Sequence, residues 1–578
     1  MLKLFTKFKA LDWVLIVLLV AVSVGQAFFD IYMPRESAQL FDYMLGGYGS
    51  GYLWSQGGRV LLYGGGSLLA NIIGSIIAGF LAANIGRTIR KDLFKKVQGF
   101  GFEEMNKFST PSLITRATND ITQVQTVMVM MLRIAISSPI TAIWAIVRIS
   151  NASFEITLLT ALTVAGAIII MLILTFIVLP KFKLIQTLTD KLNGVTRQNL
   201  TGLRVVKAYN ADDFEQEKFK DVNVKLNKNH VFANSIMGVM MPILMIVMNG
   251  INLAIFWLGA HLMNNGSLNF VDLMEFSGLI WQVLLAFFMI GLLVTMVPRA
   301  QVSAKRVLEV LKTEPRVTDP QNPIEFNPDT IGEIEFNNVG FSYPDAEAKV
   351  LEGISFKAKK GETVAFIGST GCGKSTLVNL LPRFYDTTEG KILVDGVDVK
   401  SVKQADLRSK IGYVPQKAVL FSGTIKSNIL YGAKTDSQDL VEKAAHVAMA
   451  DEFILEKEGG YTAEVSQGGK NFSGGQKQRL SIARAVAAQP EIFIFDDSFS
   501  ALDYKTDKEV RARLKQHTQN ATSLIVAQRI GTIMDADKII VLEKGKMTAM
   551  GTHKELLNTC KVYKEIALSQ LSEEELAA

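Results

Sequence analysis

Nine consecutive residues, Gly368-Ser369-Thr370-Gly371-Cys372-Gly373-Lys374-Ser375-Thr376, fit the pattern G-x-x-x-x-G-K-[ST] and follow an apolar run at 363–367 that reads as a strand. Glycines let such a loop turn its backbone N–H groups inward around phosphate oxygens. Lys374 brings a compact cation to the outer phosphates, and the Ser375 hydroxyl can ligate Mg²⁺. A helix is expected from Ser375, its positive N-terminal end adding to the anion site.

Other chemistry-bearing residues flank this loop. Tyr343, ahead of it, can stack on an adenine ring, although its ring equally suits a core position. Gln416, in Tyr413-Val414-Pro415-Gln416, can reach Mg²⁺ or an attacking water through its amide oxygen. Asn471-Phe472-Ser473-Gly474-Gly475-Gln476 is a second glycine-rich turn opening a helical pattern, hence a second phosphate-binding N-terminus. The buried-strand pattern at 492–496 delivers Asp496 to the Mg²⁺ shell. Asp497 follows, then Ser500-Ala501-Leu502-Asp503 and Val526-Ala527-Gln528-Arg529. Two phosphate cradles in one domain make sense if two such domains dock head to tail, Ser473 and its glycines closing over nucleotide held by the other domain's loop.

The elements that carry these residues divide the chain in two. Hydrophobic residues are 49% of the total and mean hydropathy is positive, with the excess in long apolar runs of the first 300 residues. Six runs are expected to span a membrane, at 11–33, 60–86, 127–149, 156–179, 236–262 and 274–297, each long enough for the ~30 Å hydrocarbon core. Residues 1–10 alternate Leu2, Phe5 and Phe8 with Lys3, Lys7 and Lys9, suiting an interfacial lead-in. Arg87, Arg90, Lys91, Lys95 and Lys96 follow the second run and Lys181, Lys183, Lys191 and Arg197 the fourth, so both segments are expected in the cytoplasm with both termini. Their helical patterns continue the spans, and the turns at 115–120 and 206–210 are expected to contact the nucleotide domain. The net charge of +6 is explained by this membrane half and calls for no nucleic acid. Cys372 and Cys560 lie far apart and imply no disulfide framework.

Among polar residues within the runs, Arg133, Asn249 and Gln282 should face a cavity or a partner helix. Asp30, Arg148 and Glu275 lie near run ends and are expected to snorkel to the interface. Methionines crowd the third and fifth runs, including Met128, Met130, Met131, Met237, Met240, Met241, Met245 and Met248, and would serve either an adaptable apolar ligand surface or gap-filling. Pro315, Pro320, Pro323 and Pro328 end the helical pattern, which makes 314–330 a linker between a membrane domain at 1–313 and an α/β nucleotide domain at 331–578.

Taken together, these motifs in this order resemble the ATP-binding cassette (ABC) exporters of the six-span half-transporter type, over essentially the whole chain. The resemblance implies a membrane all-α domain of six transmembrane helices with long cytoplasmic extensions, then a RecA-like α/β P-loop domain with a helical subdomain. It implies ATP and Mg²⁺ as ligands, Tyr343 as the adenine-stacking residue and Gln416 as the glutamine-loop residue. Residues 472–476 correspond to the signature, and Asn119-Asp120 and Tyr209-Asn210 to the coupling helices. Two positions depart from the family. Where a glutamate and a histidine are usual, this chain has Asp497 and Gln528. The shorter carboxylate is withdrawn by about one C–C bond, and misplacement near 1 Å can cost on the order of 10²-fold. Gln528 can hydrogen-bond but offers no imidazole. The signature departs only at Phe472, where leucine is usual. The asymmetry resembles the degenerate subunit of heterodimeric bacterial multidrug exporters, and implies a second half-transporter subunit, a bacterial plasma-membrane location and an amphipathic small-molecule substrate. A peptide or lipid exporter, an ATP-gated channel or sensor, and a homodimer with two weakened sites are the competing readings.

Overall fold

The computed structural model describes residues 8–151, 154–327, 330–344 and 346–571, without the side chains at 171, 174, 175, 240, 241, 244, 294 and 295. The lead-in at 1–7, Pro328 and the side chains of Met240 and Met241 therefore lie outside the described residues. The chain divides into two compact units, Met1–Gln98 with Thr110–Thr313, and Gly99–Ser109 with Glu314–Ala578.

The membrane unit is built from long helices at Ala10–Leu45, Ser50–Gln98, Ile121–Ser150, Phe154–Thr201, Asp212–Asn264 and Phe270–Lys312. Their outward faces are apolar: Val17 is 69% exposed and Leu61 78%, which suits hydrocarbon rather than water. By length and composition five stretches among the described residues can cross a membrane: Ala10–Leu45, Ser50–Gln98, Thr110–Ser150, Met245–Asn264 and Phe270–Lys312. The remaining expected span, 156–179, lies on the Phe154–Thr201 helix, whose described apolar stretch is the shorter Phe154–Ile170.

One expectation for this unit, snorkelling of the polar residues near run ends, is corrected. Glu275 does not snorkel: it is 1% exposed, and its carboxylate meets Arg148 Nε at 2.9 Å and Arg35 Nη1 at 3.6 Å. Arg148 is thereby drawn inward with it, because a carboxylate between packed helices is tolerable only when paired. Asp30 is likewise held inside, accepting from the Ser67 hydroxyl and from Gln26 Nε2. The turn at 115–120 is anchored within the membrane unit. Asp120 is buried and accepts from Ser303 Oγ at 2.8 Å, while Arg116 Nη1 donates to Arg306 O and Glu309 Oε2. Asp120 thus packs on the end of the Phe270–Lys312 helix within the membrane unit, while Asn119 is exposed. The stretch that joins the second unit is Gly99–Ser109. The other turn forms a short helix, Leu203–Ala208, followed by Tyr209, which is 81% exposed.

The second unit carries a six-stranded sheet ordered β12-β11-β3-β10-β9-β6 and a four-stranded one ordered β2-β1-β4-β5. Their strands are β1 (Ile334–Phe341), β2 (Leu351–Ala358), β3 (Thr363–Gly368), β4 (Glu389–Val394), β5 (Val397–Asp398), β6 (Ile411–Val414), β9 (Ile492–Asp496), β10 (Thr522–Val526), β11 (Lys538–Glu543) and β12 (Lys546–Gly551). A small pair, β7 (Gly423–Thr424) with β8 (Glu464–Val465), lies between. Near-continuous apolar runs such as Ile492-Phe493-Ile494-Phe495 suit strands buried on both faces, and every residue of β9 is buried. Strands β11, β3, β10, β9 and β6 run parallel. In register, Val526 of β10 pairs with Phe366 of β3 and Asp496 of β9, and Val414 of β6 with Phe495. The carboxyl ends of four strands are therefore level, and in open α/β sheets ligands bind at that edge. A helical subdomain, with helices at Gln438–Val447, Asp451–Leu455 and Gly474–Ala487, packs around Val441, Ile454, Phe472 and Leu480.

Within the same unit the Phe102–Phe108 helix is docked by aromatic and polar contacts. Phe102 lies 4.6 Å from the Phe384 ring and 6.1 Å from Tyr385, and Asn106 Nδ2 donates to Tyr385 Oη at 3.4 Å. Arg316 reaches back to it, its backbone N–H donating to Glu104 and its guanidinium pairing with Glu103.

Candidate nucleotide site

The loop after β3 can close only with glycine at its two ends. At Gly368, φ is 156° and a Cβ would sit 2.1 Å from Leu542 O; at Gly373, φ is 101° and a Cβ would sit 2.8 Å from Leu351 Cδ2. The helix that follows spans Lys374–Leu380, one residue earlier than expected. Lys374 is 8% exposed, with Nζ donating to Gly368 O at 2.8 Å and Ser369 O at 2.9 Å, so its charge is held inside the loop. Ser369, Thr370, Gly371 and Cys372 form the turn between, and Cys372 is buried, its sulfur packed at 3.6 Å from Lys374 Nζ. Tyr343 lies beside the loop: its hydroxyl meets Thr376 Oγ1 at 2.9 Å and its ring is edge-on to Tyr385 at 5.3 Å.

Ser375 Oγ donates to Asp496 Oδ1 at 2.7 Å. Adjacent hydroxyl and carboxylate oxygens fit a hard cation such as Mg²⁺, which keeps few protein ligands and takes the rest from phosphate and water. Ser375 and Asp496 would hold such an ion, and it would neutralise charge on the outer phosphates. Burial raises the Asp496 carboxyl above the ordinary range and neighbouring Asp497 adds to this, while the Ser375 and Tyr413 bonds oppose it. Tyr413, which sequence reasoning passed over, donates its hydroxyl to Asn379 Oδ1 at 2.9 Å and to Asp496 Oδ2 at 3.4 Å. Burial, then Asp496, pushes the phenol up, so it stays a donor. Its place at the end of β6, two residues before Pro415, was the available signal.

Gln416, Asp497 and Gln528 come from three strand ends and meet at one atom. Asp497 Oδ2 accepts from Gln416 Nε2 at 3.0 Å and from Gln528 Nε2 at 2.8 Å. Asp497 is 7% exposed, its backbone lies in the left-handed region at φ 47°, and its N–H donates to Val526 O at 3.0 Å. Gln528 is fixed in turn by Gln570, whose Nε2 donates to the Gln528 carbonyl at 2.8 Å. A carboxylate oxygen already taking two amide donors is poorly placed to take a proton from water.

The second glycine-rich turn lies in the helical subdomain. Ser473 caps the 14-residue helix Gly474–Ala487, its Oγ accepting from Gln476 N at 3.3 Å while Gln476 Oε1 accepts from Ser473 N at 3.0 Å. Gly474 has open space where a Cβ would stand, and Gly475 approaches Ala501 O. Phe472 is buried, its ring 6.4 Å from Phe453 with Lys457 Nζ over it. No hydrogen bond among the described residues joins Ser473 or Gln476 to the loop after β3. Asp503 caps the next helix, Tyr504–His517, through Thr506 N and Oγ1, and those bonds depress its carboxyl. The structure thus brings together residues 368–376, Tyr343, Gln416, Asp496, Asp497 and Gln528, and leaves Ser473, Gly474, Gly475, Gln476 and Asp503 on other elements.

Known proteins resemble the chain over both units. The family profile described as ABC transporter matches residues 351–500, and that described as ABC transporter transmembrane region matches 14–287. An uncharacterized ABC transporter ATP-binding protein of Mycobacterium tuberculosis is 35% identical, the alignment covering 96% of each chain. The protein YfiB of Bacillus subtilis, described in the same words, is 36% identical over 88% of each chain. A fatty acid ABC transporter ATP-binding/permease protein of M. tuberculosis is 31% identical over 82% of this chain and 75% of its own. Among solved structures, a bacterial Atm1-family ABC exporter with ATP bound superposes with a TM-score of 0.80 at 25% identity, covering 97% of this chain and 98% of that one.

Proposed function

The chain belongs to the ABC transporter family, as a membrane-spanning subunit of an ATPase coupled to transport, and we propose that it is one half of a heterodimeric exporter of amphipathic compounds with two unequal ATP sites. The observation that carries this reading is the Asp497 carboxylate bound by the Gln416 and Gln528 amides, in place of a glutamate beside an imidazole. The site on this chain's own P-loop then binds Mg²⁺ and ATP through Lys374, Ser375, Asp496 and the 368–376 loop, with Tyr343 stacking on adenine, and hydrolyses slowly. Ser473, at an exposed helix N-terminus, contacts the γ-phosphate held on the partner's P-loop, and Gly474, Gly475, Gln476 and Asp503 complete that surface. Closure of the paired domains moves the spans through the Phe102–Phe108 helix, docked on Phe384 and Tyr385. The Lys and Arg residues after the second and fourth runs support a nucleotide unit in the cytoplasm, on a bacterial plasma membrane in this reading.

A lipid-like substrate is the second reading, favoured by the relative named as a fatty acid transporter. The test is co-purification of the partner from the native membrane, followed by transport. Inverted vesicles holding both chains are expected to accumulate an amphipathic dye only with ATP. Dissipation of an ion gradient without ATP and without dye movement would point to a channel and overturn the export reading.

A further inference from the structure

A polar cavity of about 580 Å³ in the membrane unit is lined by Arg133, Asp30, Asn71 and Gln282 among others. Beside it an apolar pocket of about 320 Å³ is lined by Met245, Met248, Phe287 and Phe288 among others. Trp281, Leu285 and Met289 form a wall common to both. Each volume lies in the range of small-molecule sites. A charged chamber opening beside an apolar one matches a compound with a headgroup and a tail better than one that is apolar throughout.

The sign of the headgroup follows from which charged group keeps polar atoms free to meet a ligand. Neither Asp30 nor Arg133 has an ion pair among the described residues, but each Asp30 oxygen takes a hydrogen bond, Oδ1 from the Ser67 hydroxyl and Oδ2 from Gln26 Nε2. Arg133 carries five N–H donors in a planar fork. Among the described residues it uses only Nη1, toward the neutral acceptors Asn71 Oδ1 and Ser75 Oγ, and it has no ion pair. Elsewhere in the same unit Arg148 is paired with buried Glu275 at 2.9 Å, so the helices do supply carboxylates where a guanidinium is structural. An unpaired guanidinium at this depth is costly, and the free side of its fork matches a carboxylate or phosphate bidentately.

We propose that the transported amphiphile bears an anionic oxyacid headgroup held by Arg133, with its tail against Trp281, Leu285 and Met289 in the methionine-lined pocket. The flexible thioethers of Met245, Met248 and Met289 around that pocket accommodate tails of differing shape. The proposal rests on the export reading and narrows its substrate class.

The full complex in phosphatidylcholine nanodiscs, without ATP, is titrated with palmitate, hexadecyl phosphate and hexadecyltrimethylammonium, following tryptophan fluorescence against protein-free discs. Loss of the signal in Trp281→Phe assigns it to this wall. Binding of both anions is expected, weakened about tenfold or more by Arg133→Gln, partly restored by Arg133→Lys and retained in Asp30→Asn. The tighter of the two anions identifies the headgroup. Unchanged anion binding in an Arg133→Gln complex that still elutes as a single species and binds ATP would overturn the proposal. So would tighter binding of the ammonium that is lost in Asp30→Asn. Because no ATP is present, Arg133-dependent binding without ATP-driven accumulation would sink the export reading, whereas accumulation that ignores Arg133 would sink this one.

Discussion

The nucleotide unit carries two glycine-rich turns whose surroundings differ in kind. Beside the P-loop, the two residues that depart from the family pattern lie at the level strand ends, where Asp497 and Gln528 meet at one carboxylate oxygen with Gln416 the third partner. On the signature half, the one changed residue faces away, since Phe472 is buried against Phe453 while Ser473 keeps an exposed capping position. A substitution that turns its side chain into a core alters packing, and one that turns it toward the reacting atoms alters chemistry. The proposed division of labour between a slow site and a working partner site rests on that contrast.

Replacing Ser473 is the most severe way to break the comparison. Ser473→Arg puts a long cation where a phosphate contact is proposed, and steady-state ATPase of the reconstituted pair is expected to fall on the order of 10²-fold. Retained turnover would mean that this signature closes no working site. Lys374→Ala acts on the other half and should act locally. A charged lysine contact to phosphate is worth about 1.5–3 kcal/mol, so nucleotide affinity at this chain's own site should drop roughly tenfold to a hundredfold. The partner's loop is untouched, and much of the pair's ATPase should survive. Equal and complete loss from either chain's lysine variant would make the sites equivalent and remove the contrast.

Much of this was legible before any coordinates, and the exceptions share a cause. The nucleotide elements could be read because their signals are local: Gly368 and Gly373 are required by backbone geometry, and the β9 run ends on Asp496 as a buried strand should. Gathering Gln416, Asp497 and Gln528 on one oxygen depends on the order of β6, β9 and β10 in the sheet, which no local pattern encodes. Glu275 was misread for the same reason. Position near a run end suggests snorkelling, but the decisive fact is that Arg148 and Arg35, far away in sequence, close on it. The docking of the Phe102–Phe108 helix is illegible in the same way, because it depends on Phe384 and Tyr385, far along the sequence but in the same unit.

The smallest expected effect is the sharpest test. If the site on this P-loop contributes little turnover, Asp497→Ala should change the ATPase of the intact pair by about twofold or less, since removing a group from a slow step leaves the fast one in place. A null result alone proves little, so the same residues are asked to gain function. In the Ser473→Arg background the partner site is silenced, and the residual ATPase reports the site built on Lys374, Ser375 and Asp496. Adding Asp497→Glu with Gln528→His there lengthens the carboxylate toward the water and replaces one of the two amides now held by Oδ2 with an imidazole. A positioned general base contributes about 10²–10⁴-fold where the rest of the site is competent. An increase of about tenfold or more in the residual rate would locate the slow step at these two side chains. An unchanged rate, with ATP still bound, would place the defect in the partner's signature, and silencing of the intact pair by Asp497→Ala alone would show that the fast site is the one on this chain.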